Sequence, residues 1–139
     1  YNVRPLELEG ALGVEQVKKL PMIISERRKN AKLFTEILTN HPDLIIQKEI
    51  GESSWFGFSI IIRPGSSLKR LDLVNKLNNL GFEFRPIVTG NFLKNEVIKY
   101  FDSEVHANLK NAEHLDKNGL FIGNHHYPIT DALNTLKNL

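Results

Sequence analysis

The stretch Trp55-Phe56-Gly57-Phe58-Ser59-Ile60-Ile61-Ile62 decides the fold. It is aromatic and β-branched, with Ser53-Ser54 before it and Pro64-Gly65 after it, so it reads as a central strand. Downstream, Leu68, Leu71, Val74 and Leu77 recur at threes and fours, which predicts a helix with Gly81 as its C′ residue; Phe82-Glu83-Phe84 then alternates as a strand. Upstream, Leu44-Ile45-Ile46 reads as a short strand after the break at His41-Pro42-Asp43. Before that break a helix covers about Leu6 to Leu20, with acids early and lysines late as the helix dipole favours. Pro21 is expected to end or kink it, and Ile23, Ile24, Ala31, Phe34, Ile37 and Leu38 continue a helical face to about Asn40. Arg27 and Arg28 are expected to lie solvated beside that face. Gly10, Ala11 and Gly13 are small enough for another backbone to approach closely.

Beyond Phe84 the pattern is helical again. Leu93 to Phe101 predicts a short helix, and Ser103 is a candidate N-cap for a second running to Lys117, with Val105, Leu109, Ala112 and Leu115 inward. Asn118-Gly119 stops it, Leu120-Phe121-Ile122-Gly123 is a last short strand, and Ile129 to Leu139 is an amphipathic helix opened by Thr130-Asp131. The sum is an α+β domain, a sheet of three or four strands covered by helices.

Composition narrows the function classes. At 139 residues one domain is expected, and 18 basic against 16 acidic residues, interspersed, leave no basic stripe for nucleic acid. No cysteine is present, which removes disulfides and thiolate metal sites. No apolar run approaches the about 20 residues that span a bilayer, so no membrane partner is expected. The chain opens Tyr1-Asn2-Val3-Arg4-Pro5, without Met, and runs at once into a helical pattern; it reads as a piece of something longer.

The stretch most suited to holding a ligand is Phe84-Arg85-Pro86-Ile87-Val88-Thr89-Gly90-Asn91-Phe92. Pro86 drives Arg85 toward extended geometry, Gly90 permits backbone that other residues resist, and Asn91 offers donor and acceptor, so the loop suits an anionic, hydroxyl-rich ligand. The plainer reading is a strand-to-helix connection with a surface arginine. His125-His126 could supply an acid, a base or a metal ligand, but adjacent histidines point apart on extended backbone, and no metal site is expected. Trp55 and Phe56 are either core or the wall of a cleft. There is no Gly-rich phosphate loop, no His-Glu-x-x-His and no Gly-x-Ser-x-Gly elbow, so no self-contained catalytic residue is assigned.

Three segments in order, Ser54-Trp55-Phe56-Gly57-Phe58, Arg85-Pro86-Ile87-Val88-Thr89-Gly90-Asn91-Phe92 and Gly119-Leu120-Phe121-Ile122-Gly123-Asn124-His125, resemble the C-terminal domain of the DegT/StrS-type sugar aminotransferases. Tyr1-Asn2-x-Arg4 and the Gly10-Ala11-Leu12-Gly13 helix are similar to segments just after that family's large cofactor-binding domain. The resemblance implies the small domain of a fold-type I aminotransferase at 1–139, with 1–40 as a connecting helical segment and the cofactor domain absent. The first two segments look most like the dehydratase branch, which removes the C3 hydroxyl of nucleotide-linked 4-keto-6-deoxy sugars with pyridoxamine 5'-phosphate. Residues 90–96 look more like the GDP-linked members than the CDP-linked ones.

By the same resemblance, Asn2 would bind the cofactor phosphate across a homodimer interface and Arg4 would lie near the substrate diphosphate. Trp55 and Phe56 would line the site, and Arg85, Gly90, Asn91 and His125 would border the sugar-nucleotide channel. The chain alone would be inactive and hold no pyridoxal or pyridoxamine phosphate, and its parent would be a cytoplasmic enzyme. Two alternatives stay open: a fragment of a sugar aminotransferase, or an autonomous ligand-binding module.

Overall fold

The computed structural model describes residues 4–139. Helix α1 spans Glu7–Leu38, and four strands follow among three further helices: β1 Leu44–Ile46, β2 Gly57–Ile62, α2 Arg70–Asn79, β3 Phe84–Arg85, α3 Lys110–Asn118, β4 Gly119–Gly123 and α4 Thr130–Thr135. The sheet has the order β1-β2-β4-β3 with every pair antiparallel. The strand that announced the fold is central, as its composition requires. Its pairing begins only at Gly57, however, and Trp55 and Phe56 lie just ahead of it.

Alternation along β2 and β4 divides the sheet into two faces. Phe58, Ile60 and Ile62 with Leu120 and Ile122 meet Ala31, Phe34 and Leu38 of α1, Leu73 and Leu77 of α2, and Leu133 of α4 in one buried core. Phe34 and Phe58 stack within it at 4.2 Å between ring centroids. The opposite face carries Gly57, Ser59, Ile61 and Phe121. Helix α3 covers one end of it, where His114 Nε2 lies 2.8 Å from the carbonyl of Ile62, and leaves the Gly57 end open.

Four local expectations are corrected or narrowed. Of the two readings at Pro21, ending is excluded, because helix α1 runs through it to Leu38. The carbonyl four residues earlier, on Val17, loses its donor, but Val17 and Pro21 are both exposed, so water can serve it. In α2 Leu73 and Leu77 are buried and Val74 packs against the core, whereas Leu71 is 68% exposed. The predicted helix over Leu93–Phe101 is two 3-10 turns, Phe92–Lys94 and Glu96–Tyr100. Asn91 and Asn95 each accept a backbone N–H through the side-chain oxygen, from Leu93 at 3.2 Å and Val97 at 3.1 Å, and this local bonding restarts the chain at Asn95. Helix α3 begins at Lys110 and not at Ser103, because Val105 and Leu109 face solvent and no core rewards the earlier turns.

Leu8, Leu12, Val14, Val17 and Leu20 on the first half of α1 are exposed, and apart from the helix's own neighbouring backbone nothing among the described residues lies within 4 Å of a Cβ built at Gly10 or Gly13. No described part of the chain makes the close approach these glycines permit.

The face assignment is testable by urea unfolding. Phe58→Ala removes a ring from the core and is expected to cost about 3–5 kcal/mol, whereas Leu71→Ala is expected to stay within about 0.5 kcal/mol of the parent. Similar losses from both would contradict it.

Candidate functional site

The open end of the second sheet face is built by a backbone step at Trp55. Its φ of 51° is left-handed, which side chains other than glycine rarely adopt. Four hydrogen bonds hold the step. The Trp55 N–H donates to Ser53 Oγ at 2.9 Å, its indole Nε1 donates to Glu49 Oε1 at 3.1 Å, and the Ser53 N–H donates to that same oxygen at 2.8 Å. The Trp55 carbonyl accepts from Asn124 Nδ2 at 2.9 Å. As a result Trp55 is 6% exposed and belongs to the core, while the next ring, Phe56, is 72% exposed.

Phe56 stacks on Phe121 with centroids 6.2 Å apart, and the Arg27 guanidinium carbon lies 5.5 Å from the Phe56 centroid on α1's side. Gly57 makes room for this platform: a Cβ there would collide with the Phe121 ring and lie 2.7 Å from the Ile122 carbonyl oxygen. Arg85 pairs in register with Phe121 across β3 and β4. Among the described residues Arg85 makes no ion pair; Glu96 pairs with Lys99 instead.

Two buried amides fix this end of the molecule. Asn124 Nδ2 donates to the carbonyls of Arg27 (3.0 Å) and Trp55, and its Oδ1 accepts from Asn30 Nδ2 at 3.1 Å. Asn30 Nδ2 also meets the carbonyls of His125 (3.2 Å) and Tyr127 (2.9 Å), and its Oδ1 accepts the Ile129 N–H at 3.3 Å. Helix α1, the Trp55 step and the segment after β4 are thereby joined. His125 itself is exposed, its ring stacked on Tyr127 at 4.7 Å, and His126 meets Tyr127 edge-on. Among the described residues no three His, Asp or Glu side chains gather as a metal site.

The loop from Arg85 to Asn91 is clamped to α3. Val88, 88% exposed, has φ 47° and Gly90 has φ 58°. A Cβ on Gly90 would overlap the Asp116 carboxylate, so only glycine lets that carboxylate come up beneath the loop. The Asn91 N–H donates to Asp116, and Asn91 Nδ2 donates to Glu113 Oε2 at 3.3 Å. Lys94 Nζ lies 2.8 Å from Glu113 and 2.7 Å from Asp116. Hydrogen bonds from Lys94, then Lys117 and Asn91, hold the Glu113 carboxyl at about 2, and Lys94 likewise depresses Asp116. The bond to Asp116 is the first cause that raises Lys94.

Of the residues singled out from sequence, Phe56 and Arg85 meet at the open face through Phe121. Trp55 supports that face from within, Gly90 and Asn91 turn toward α3, and His125 lies beyond the amide pair. Arg4 lies exposed ahead of α1, and Asn2 falls outside the described residues. Sequence reasoning missed Phe121, Asn30, Asn124 and Arg27, and Arg27 and Arg28 are not simply solvated: Arg28 Nε donates to the Ser53 carbonyl at 2.9 Å. A signal for α1 was present, since Ile23, Arg27, Asn30 and Phe34 fall on one helical stripe.

The clamp sets a pH window. Glu113 and Asp116 are depressed, so their contribution is present above the ordinary carboxylate range and is lost as pH falls toward about 2. Lys94 is raised, so its contribution is complete below the ordinary lysine range and is lost only at higher pH. Amide exchange at Asn91 is therefore expected to show unchanged protection, after correction for intrinsic rate, from about pH 5 to 9. Asp116→Asn should erode that protection; protection that collapses between pH 6 and 8 in the parent would contradict the clamp.

The model of the DegT/DnrJ/EryC1/StrS aminotransferase family matches residues 1–135. GDP-4-keto-6-deoxy-D-mannose 3-dehydratase of Escherichia coli O55:H7 is 59% identical over 138 residues, covering 99% of this chain and 36% of that protein. The Escherichia coli enzyme solved with bound hydrated PLP is 59% identical with a TM-score of 0.95, again over 99% of this chain and 36% of the solved one. A mutant of GDP-4-keto-6-deoxymannose-3-dehydratase solved with bound GDP-perosamine is 58% identical with a TM-score of 0.95 over the same shares. The chain spans about a third of the length of these relatives, and its α+β architecture is that of the small domain of a fold-type I aminotransferase. This chain belongs to the DegT/DnrJ/EryC1/StrS aminotransferase family.

Proposed function

We propose that this chain is the C-terminal part of a pyridoxamine-phosphate-dependent nucleotide-sugar 3-dehydratase, acting on a GDP-linked 4-keto-6-deoxy sugar to make a 3,6-dideoxy sugar for lipopolysaccharide O-antigen. The observation that carries it is the open sheet face: a two-ring platform, the exposed Phe56 on the half-buried Phe121, beside an arginine without an ion pair among the described residues. Phenyl faces cover a sugar or base and exclude water, and a guanidinium answers diphosphate charge with a planar fork. The 59% identical dehydratase favours this chemistry over amino transfer, and the relative holding GDP-perosamine favours a GDP-linked sugar.

Pyridoxamine phosphate, when bound, supplies the amine that engages the sugar's keto group and the electron sink for loss of the C3 hydroxyl. In this reading the open face takes the sugar nucleotide, and the cofactor phosphate falls to Asn2 and to parts of the protein outside this chain. Arg4 and Arg85 hold the diphosphate, Phe56 covers the sugar, Trp55 backs Phe56, Gly90 and Asn91 keep the loop in place, and His125 borders the channel. None is assigned a catalytic proton transfer. A cytoplasmic homodimer belongs to the same reading, the exposed leucines of α1 offering an apolar face. No described helix is long and apolar enough to cross a membrane.

Arg85→Lys tests the assignment in the full-length protein. It keeps the charge and loses the fork, so KM for the GDP-sugar is expected to rise about 10- to 100-fold, equivalent to about 1.5–3 kcal/mol, with an unchanged melting temperature. Unchanged KM and kcat would remove Arg85 from the site.

A further inference from the structure

Arg27 is the least explained charged residue near the platform. Its neighbour Arg28 is engaged, with Nε on the Ser53 carbonyl and Nη2 at 3.7 Å from Glu52. Arg27 makes no ion pair among the described residues, and its Nε is buried without a hydrogen-bond partner. A half-buried guanidinium with no carboxylate is unfavourable unless something else answers its charge. Phe56 answers part of it, because a cation over a ring face is attracted by the ring's quadrupole. With Nε buried, the donors left to a ligand are those of the two terminal Nη groups.

The backbone on both sides of this contact is fixed. The Arg27 carbonyl is held by Asn124 Nδ2, and the same amide holds the carbonyl of Trp55, immediately before Phe56. The left-handed Trp55 directs Phe56 out to meet the guanidinium, and such strain persists only where its surroundings enforce it. Arg27 contacts Phe56 and Phe56 contacts Phe121, while Arg85 is the residue in register with Phe121 on the neighbouring strand, so an arginine is placed at each end of the ring pair.

We propose that Arg27 is a further substrate-binding residue, presented by Phe56 to the diphosphate of the sugar nucleotide from the side opposite Arg85. The assignment rests on the nucleotide-sugar reading above and adds to it a residue from α1.

Calorimetric titration of the full-length protein with GDP and with guanosine tests it. Arg27→Gln is expected to weaken GDP binding about 10- to 100-fold while guanosine binding and the melting temperature stay near the parent's, since only the diphosphate is addressed. Arg27→Lys should recover part of the loss, as a point charge without the fork. It carries the same comparison if Arg27→Gln does not fold. GDP affinity within twofold of the parent in both variants overturns the assignment. An equal loss for guanosine also overturns it, because Arg27 would then act only by propping Phe56. A parent that binds neither ligand instead refutes the nucleotide-sugar reading, and this assignment falls with it.

Discussion

The hydrogen bond between Asn30 and Asn124 is the constraint on which the functional end of this domain depends. Both amides are buried, so each donor and acceptor left unmade would cost about 1–3 kcal/mol. The pair avoids that cost by donating to carbonyls of separate chain segments: Arg27 in α1, Trp55 before β2, and His125 and Tyr127 after β4. These segments are distant in sequence, with Asn30 and Asn124 separated by 94 positions. Hydrophobic burial brings α1 onto the sheet, but it is non-directional; the amides fix how the pieces meet.

What they fix is a division of labour between adjacent aromatics. A regular strand sends neighbours to opposite faces, but it would not bury Trp55 among core residues while leaving Phe56 mostly exposed beside α1. The left-handed turn at Trp55 does this, and Ser53, Glu49 and Asn124 hold it in place. A second strained stretch, Val88 to Gly90, is held by another device at the far edge of the same face. There Asp116, Glu113 and Lys94 act on an exposed loop, where charge-assisted bonds to backbone and to Asn91 are the available fixings. One edge of the platform is set by buried neutral amides and the other by solvent-facing ions, so pH acts on them differently.

The sheet and its core were legible because both are written in period-2 and 3.6-residue alternation. Phe58, Ile60 and Ile62 fall together, as do Phe34 and Leu38. The Trp55 step was not legible, since no propensity predicts a positive φ at tryptophan; it exists through partners contributed from Glu49 and Asn124. The start of α3 was misjudged for a related reason. Ser103 is a good cap, but a cap without an apolar face to bury does not start a helix. Arg85 and Phe56 could be picked out by type and position, whereas Gly90 and Asn91 gave only half their meaning: the glycine and the amide were visible, but their partners on α3 lie more than twenty residues away. Arg27 looked solvated because charge was read ahead of its place on the α1 stripe.

A crystal structure of Asn124→Ala tests most directly whether the buried amides govern the site. The variant keeps the core and loses both donated bonds, so Trp55 is expected to relax to negative φ and Phe56 to leave Phe121. A Trp55 that stays left-handed, with the Phe56–Phe121 stack intact, would contradict the account.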